Sequence, residues 1–464
     1  MVGENARAEA ALRAYLARLG RPGPVRLGPQ VAVTGQQAGL LGGPSLVAMK
    51  VHSARVHAGP EGTAVFWIAS QDHDTDEVRR LVLLDEREQL RFFSLPLPRG
   101  VPVGRLPWAP YLDRLAAFLG RTGFSPERTA ALLDALAPAQ SFSEAFARAL
   151  LFFFQAEGIL PLDPMAEELA PLFMPLIEAE LEDPLASTRA LLSGQRAARQ
   201  AGHRAPLGSH PNATQLFLEE ADGQRRRLFY REGRFFTATR HYDRRELLAI
   251  LAADPARITP AAALRPVFQD AVLGTGVFIV GPGELDYVLE LGPVYRCHGL
   301  TPPRVVMRLM GLFVEPPVAR LLDRLGVDAW AFVEAPEPTL RAVLKRRILD
   351  ELDLDGALRQ IEDGFEQAAR ALTRLDPTLV ASARASERRV ARELDRLWRR
   401  AVRARLARDR ALYRQYRRLR RHLLPGGRRQ DLVYAFAGYF LRYGEHALEV
   451  LRQAPGEGRV ELRL

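Results

Sequence analysis

Apolar runs and polar turns follow one another along the first half of the chain in a repeated order. Residues 31–33 (VAV) form a short apolar run that passes at once into Thr34-Gly35-Gln36-Gln37 and a Gly-rich stretch ending at Pro44. Pro44 suits the first turn of a helix, where its missing N–H is harmless. That helix is expected to run through Lys50, His52 and Val56. Residues 64–69 (AVFWIA) are continuously apolar, as in a strand buried on both faces. They end in Ser70-Gln71-Asp72-His73-Asp74 and a second helix start. Two strand–turn–helix units in succession predict an α/β fold with a doubly wound parallel sheet. Further short strands are expected at 159–162, at 276–280 and at 304–309. The second of these is followed by Gly281-Pro282-Gly283 and a helix opening at Glu284.

Between these runs the pattern changes. Residues 5–20 suggest an opening helix. Residues 85–110 are Pro-rich and predict a loop or small β excursion over the core. Helices are expected up to about 157, with Phe146, Leu150, Phe153 and Phe154 on one face, and again over 164–200. Residues 212–237 alternate, which predicts an antiparallel hairpin turning at Ala221-Asp222-Gly223. From about 336 a heptad seam appears at Leu354, Leu358, Ile361, Phe365, Ala368, Leu372 and Leu375, with charged residues between. Such a seam predicts a coiled-coil arm. Asp376-Pro377-Thr378 breaks it, with Asp376 placed to cap the next helix. The seam resumes through Val390, Leu394, Leu397, Ala401 and Ala404, then slips to Leu412, Tyr416, Leu419 and Leu423, a stutter. The arm therefore reads as a helical hairpin. The expected organisation is a core in two parts, 1–165 and 259–335, around a helical and β-hairpin insertion at 166–258. A coiled-coil arm at 336–425 and a return helix with a last strand at 426–464 complete it.

Composition narrows this picture. The formal charge of +10 suggests a polyanion binder, but 16 Arg and four acids fall between Arg384 and Arg421, leaving the remainder close to neutral. The basicity belongs to one helix, and its sparse aromatics favour a solvated coiled-coil surface over base stacking. The single cysteine, Cys297, excludes an intramolecular disulfide framework and fits a reducing compartment. The first 20 residues lack a signal-peptide h-region, and no run approaches the ~18–20 apolar residues of a membrane span. A cytoplasmic location is expected.

The chemistry gathers in three polar turns, each after a buried strand: TGQQAGLLGGP, SQDHD and GPGELDY. In open α/β sheets the strand C-termini share one edge, and ligands bind there. Glycines, Gly39 among them, let a backbone approach a ligand closely. The spacing matches neither G-x-G-x-x-G nor the Walker pattern. Gln36 and Gln37 suit hydroxyl or amide groups better than phosphate alone. Lys50 is one of two lysines beside 63 arginines; as a compact point charge it suits phosphate or carboxylate, the alternative being chance survival. His73 between Asp72 and Asp74 has the make-up of a general base, carboxylates raising its basicity; Asp72 or Asp74 could equally cap the next helix. As a metal site the cluster lacks a second His or Cys at ligand spacing, and no metal is expected. Glu284 and Tyr287 lie one turn apart, fit for ligand contact or for a plain acidic first turn. Cys297-His298 invites a catalytic-thiol reading, but a small buried hydrophobe is the better one.

These residues together resemble a known family. VTGQQAGLLGGP with its helix to Lys50, FWIASQDHD, RPVFQDAVLGTGVFIVGPGELDY, and LLPGGRRQDLVYAF followed by RYG are similar to the bacillithiol biosynthesis cysteine-adding enzymes, the BshC family, in order from about residue 30 to 450. The resemblance implies a Rossmann-type core with inserted connecting segments, a C-terminal helical coiled coil and a homodimer. It implies the ligation of cysteine to the glucosamine amine of glucosaminyl-malate. On this reading His73, with Asp72 or Asp74, takes a proton from the attacking ammonium, and Lys50 with the amides of the Gly-rich loop stabilises an oxyanion or leaving phosphate. Gln36, Gln37, Gly39, Glu284 and Tyr287 hold the substrates, and Arg308 pairs with a malate carboxylate. ATP is the candidate activator, although no ATP motif is present. Met307 stands where the family pattern has proline, Gln215 where it has asparagine, and Cys297-His298 is no part of that pattern. Two rivals remain: a Rossmann-type adenylate-forming transferase for another amine, and a non-catalytic RNA-binding or scaffold protein using the Arg-rich hairpin.

Overall fold

The apolar runs become one parallel sheet. In the computed structural model, whose backbone is described for residues 2–352, 354–376 and 379–464, its strands are β1 (Val31–Gln36), β2 (Thr63–Ile68), β3 (Leu160–Leu162), β4 (Val277–Val280) and β5 (Arg304–Met307). They lie in the order β3-β2-β1-β4-β5, every neighbouring pair parallel. Every residue of β2 and β4 is buried. Two-sided burial is the reason these runs carry no alternation. The winding direction reverses between β1 and β4, so a crevice opens at their C-terminal ends, where doubly wound sheets hold ligands.

The chain divides into two units, Met1–Gly311 with Asp431–Leu462, and Leu312–Gln430 with Arg463–Leu464. The first contains the parallel sheet and an inserted antiparallel sheet. That second sheet orders Ile258–Pro260, Ala213–Glu219, Arg225–Arg231, Arg234–Phe236 and His241–Tyr242 side by side. Its expected turn is present, with Gly223 at φ +75°. The helix predicted after Asp74 is only one turn, Thr75–Val78, because the chain then enters a hairpin, Arg80–Leu84 with Leu90–Ser94. The return helix expected within 426–464 is two helices, Phe436–Tyr443 and Glu445–Arg452, separated by Gly444 at φ +61°.

The second unit is helical, and it begins at 312 rather than at 336. The helices Pro316–Leu325 and Ala329–Glu334 belong to it because Leu321, Leu322 and Phe332 share a core with Leu344, Leu412, Tyr416, Leu419 and Leu423. The apparent stutter is therefore a separate helix, Arg410–Leu423, whose seam faces this core. Asp409 starts it by accepting from Leu412 N at 2.8 Å. The predicted hairpin is formed by Leu354–Leu375 packed on Val380–Arg408. The side chains of its seam residues Leu354, Leu358, Leu375, Leu394 and Ala401, and the whole of Pro377 and Thr378 beside the expected cap at Asp376, lie outside the described structure.

Candidate active site

Two polar clusters flank the end of β1, and the glutamine pair separates them. Gln36, the last residue of β1, bonds Lys50 beside Glu284 of the turn after β4, while Gln37 just beyond it bonds Asp72 of the turn after β2. On the β4 side Lys50 rises from the helix Leu46–Ala58. Its Nζ donates to Gly35 O at 2.6 Å and Gln36 Oε1 at 2.9 Å, and pairs with Glu284 Oε2 at 2.7 Å. Lys50 is 1% exposed, and burial holds its pKa below the usual lysine range against the pull of Glu284. Glu284 is fixed in turn by Gly281, whose N–H donates to Oε2 at 2.7 Å. Burial alone would raise the Glu284 carboxyl, but the charge and hydrogen bond of Lys50 keep it low.

Above Gly35 stands a guanidinium that sequence reasoning passed over. Arg265 donates from Nη2 to Tyr287 Oη at 3.0 Å and forms no ion pair among the described residues. A Cβ at Gly35 would lie 2.8 Å from Trp67 O and 3.2 Å from Arg265 Nη1. Glycine here admits the neighbouring strand and the guanidinium together.

On the β2 side Gln37 donates from Nε2 to Asp72 Oδ2 at 2.6 Å. Asp72 Oδ1 accepts from Asp74 N at 3.1 Å, and Asp74 caps the short helix by accepting from Asp76 N. Neither carboxylate is hydrogen-bonded to His73. Instead Nδ1 of His73 lies 3.1 Å from Nη1 of Arg225, delivered by the inserted sheet. Arg225 also donates to Thr259 Oγ1 at 2.9 Å and to Pro260 O at 3.0 Å, and stacks 3.9 Å above Phe217. Burial pulls the Arg225 pKa down to about 9, Arg227 adding to the effect and Asp72 opposing it. The His73 pKa is lowered by burial first and Arg225 second, which outweigh Asp72 and Asp74. The expectation that flanking carboxylates make His73 more basic is thus corrected: burial, and after it a cation from the insertion, outweigh them.

Two further expectations change. Gly39 and the Gly-rich loop are buried, with Gly42 against Phe153 and Gly43 against Val47 and Phe146. Gly39 N bonds Gln37 O, Gly43 N bonds Leu40 O, and Ser45 N bonds Tyr434 O. With these three amides engaged and its glycines packed against Phe146 and Phe153, the loop acts here as a packing device. Arg308 is 2% exposed, pairs with Asp431 at 3.1 Å, and donates to Leu309 O at 2.7 Å. Both are withdrawn from the groups open to a ligand, and Lys50 is closed in by its three acceptors. Cys297 is an exposed thiol whose pKa is pushed up by desolvation and by Glu180 and Asp183. His298 turns to Ser187 Oγ at 3.0 Å and Glu180 Oε1 at 3.1 Å, so no thiol–imidazole pair forms. The structure brings together Gln36, Lys50, Glu284, Arg265 and Tyr287 on one flank, and Gln37, Asp72, His73 and Arg225 on the other. Arg225 and Arg265 carried no signal in the sequence beyond their strand and helix positions, being two among 63 arginines.

Comparison with known proteins matches two family models. The N-terminal Rossmann-like domain of the bacillithiol biosynthesis protein BshC matches residues 27–309, and its C-terminal coiled-coil domain matches residues 311–461. A Thermus thermophilus protein named "Putative cysteine ligase BshC" is 47% identical over 98% of this chain and 93% of its own. Its counterpart from a second strain of that species, of the same name, is 47% identical over 95% of this chain and 89% of its own. A Salinibacter ruber protein, again so named, is 29% identical over 91% and 80%.

Proposed function

Because this chain belongs to the BshC family of bacillithiol biosynthesis, we propose that it is the cysteine ligase that joins cysteine to the glucosamine amine of glucosaminyl-malate. The observation that carries the reading is the match of both family domains across nearly the whole chain, with 47% identity to relatives of that name. The bond formed is an amide: the amine nitrogen attacks the cysteine carbonyl carbon, and an activating group leaves with the displaced oxygen. A free carboxylate resists amines in water, so activation by ATP is part of the proposal. The closed Gly-rich loop does not receive its phosphates. Reaction in a reducing cytoplasm and a homodimer joined through the helical hairpin belong to the same reading. The seam residues Ile361, Leu372 and Leu397, 37%, 36% and 63% exposed, support that dimer, and sedimentation at micromolar concentration tests it.

Arg265 is the guanidinium left to recognise the substrate's malate carboxylates, the role Arg308 cannot take. A charge-assisted hydrogen bond contributes about 1.5–3 kcal/mol. Arg265→Met is therefore expected to raise KM for glucosaminyl-malate roughly 10- to 100-fold while changing kcat little. The assay combines purified protein, cysteine and glucosaminyl-malate, with and without ATP, and reads the product by mass. An ATP-dependent product of bacillithiol mass is expected. No product under any condition overturns the ligase reading; a loss in kcat at constant KM overturns the role of Arg265.

A further inference from the structure

We propose that Arg225, reaching in from the inserted sheet, fixes His73 in the Nε2–H tautomer, so that His73 works as a neutral hydrogen-bond donor in the crevice and not as its base. A guanidinium only donates, at every nitrogen. Nδ1 of His73, 3.1 Å from Nη1 of Arg225, must therefore be the accepting nitrogen. In a neutral imidazole the proton is then on Nε2. A proton on Nδ1 would set two donors against each other, and a doubly protonated ring would set two cations against each other.

The arrangement is held from several sides. Arg225 is anchored by Thr259 Oγ1 and Pro260 O, and the Phe217 ring packs against both groups, its centroid 3.9 Å from the guanidinium carbon and 5.8 Å from the centre of the imidazole. The charged groups facing His73 are Arg225 from the insertion and Asp72 and Asp74 from its own turn, with Arg227 beyond them across Phe217. The two aspartates are engaged with backbone N–H groups and Gln37. Nε2 has no hydrogen-bond partner among the described residues, which leaves its N–H for a ligand.

The consequence for chemistry rests on the ligase reading above. As the amine nitrogen bonds to the activated cysteine carbonyl, the C=O electron pair moves to oxygen. Nε2–H donates a hydrogen bond to that oxygen and keeps its proton. Collapse restores the carbonyl and expels the activating group, and the ammonium proton passes to a crevice carboxylate or to water. Arg225 is a positioning residue in this scheme.

The decisive measurement needs no variant of Arg225 and no turnover. Full-length protein labelled with 15N-histidine is examined by long-range 1H–15N correlation at neutral pH, with the His73 signals identified by their loss in His73→Gln. An unprotonated Nδ1 and a protonated Nε2 are expected; a protonated Nδ1 overturns the proposal. This result stands whether or not the ligase assay succeeds. Where it succeeds, the two substitutions at His73 separate donor from base. His73→Gln keeps an N–H near the site and is expected within about tenfold of wild type, whereas His73→Ala loses roughly 10²–10³-fold in kcat, as for one oxyanion donor. Equal losses in both variants overturn the donor role. Arg225→Gln is expected to bring the Nδ1–H tautomer into the spectrum and to raise the His73 pKa, shifts that a merely structural loss does not produce.

Discussion

Lys50→Met is expected to cost about 3 kcal/mol of stability and to abolish activity. The substitution keeps an unbranched side chain of similar length, so packing changes little. What it removes is the one cation that answers Gly35 O, Gln36 Oε1 and Glu284 Oε2. Breaking a buried pair by deleting one partner costs about 3–5 kcal/mol. The low end applies because the Glu284 side chain keeps 24% exposure and can recover part of its hydration. In thermal unfolding of a unit this large the loss appears as a fall of only about 4 °C. The Lys50→Met/Glu284→Gln double variant should recover at least about 1 kcal/mol of the loss, the signature of direct coupling. A single variant as stable as wild type would show that the three acceptors are answered by water, and the closed description of this flank would fail.

The second large effect lies at Arg308. Arg308 and Asp431 are 2% and 0% exposed, drier than the Lys50 pair, and Arg308 also holds Leu309 O. Arg308→Ala is expected to cost about 4–5 kcal/mol, the upper part of the range for a broken buried pair, read as a reduced urea midpoint. Arg308→Lys recovers little, since a single ammonium cannot reach both acceptors as the planar fork does. Protein that remains folded should bind glucosaminyl-malate with its KM unchanged. The contrary result, wild-type stability with a raised KM, would return Arg308 to the substrate and displace Arg265.

The parallel sheet was legible because each strand is a short apolar run bounded by turn residues, and two-sided burial removes the ambiguity of face. The three turns were legible for the same reason, since strand ends in such a sheet share an edge. What could not be read was which groups face each other there. Lys50 looks available in the sequence, and only the fold brings Glu284 onto it. The Gly-rich loop looks like a cradle until Phe146, Phe153 and the Tyr434 carbonyl close over it. His73 appears to lie between two carboxylates because they are its chain neighbours, yet its imidazole meets an arginine 152 positions away. Local spacing reports capping well and electrostatics poorly, because charges act through space. The two helices of the hairpin up to residue 408 were legible from their heptad spacing. Beyond it the same apolar spacing serves a globular core, and Asp409 was the residue that could have marked the change.

The first unit is discontinuous in the chain, and this sets an order of events at the ribosome. Ser45 N takes its acceptor from Tyr434, and Arg308 its counter-charge from Asp431. Everything up to Gly311 therefore emerges before the groups that answer this amide and this guanidinium, and residues 312–430 must be made in between. At about 5–20 residues per second that interval is roughly 6–24 s. During it the growing chain waits with its crevice side incomplete, while the helical unit can already fold. The core whose strands come first in the sequence is completed only after nearly all of the helical unit has been made.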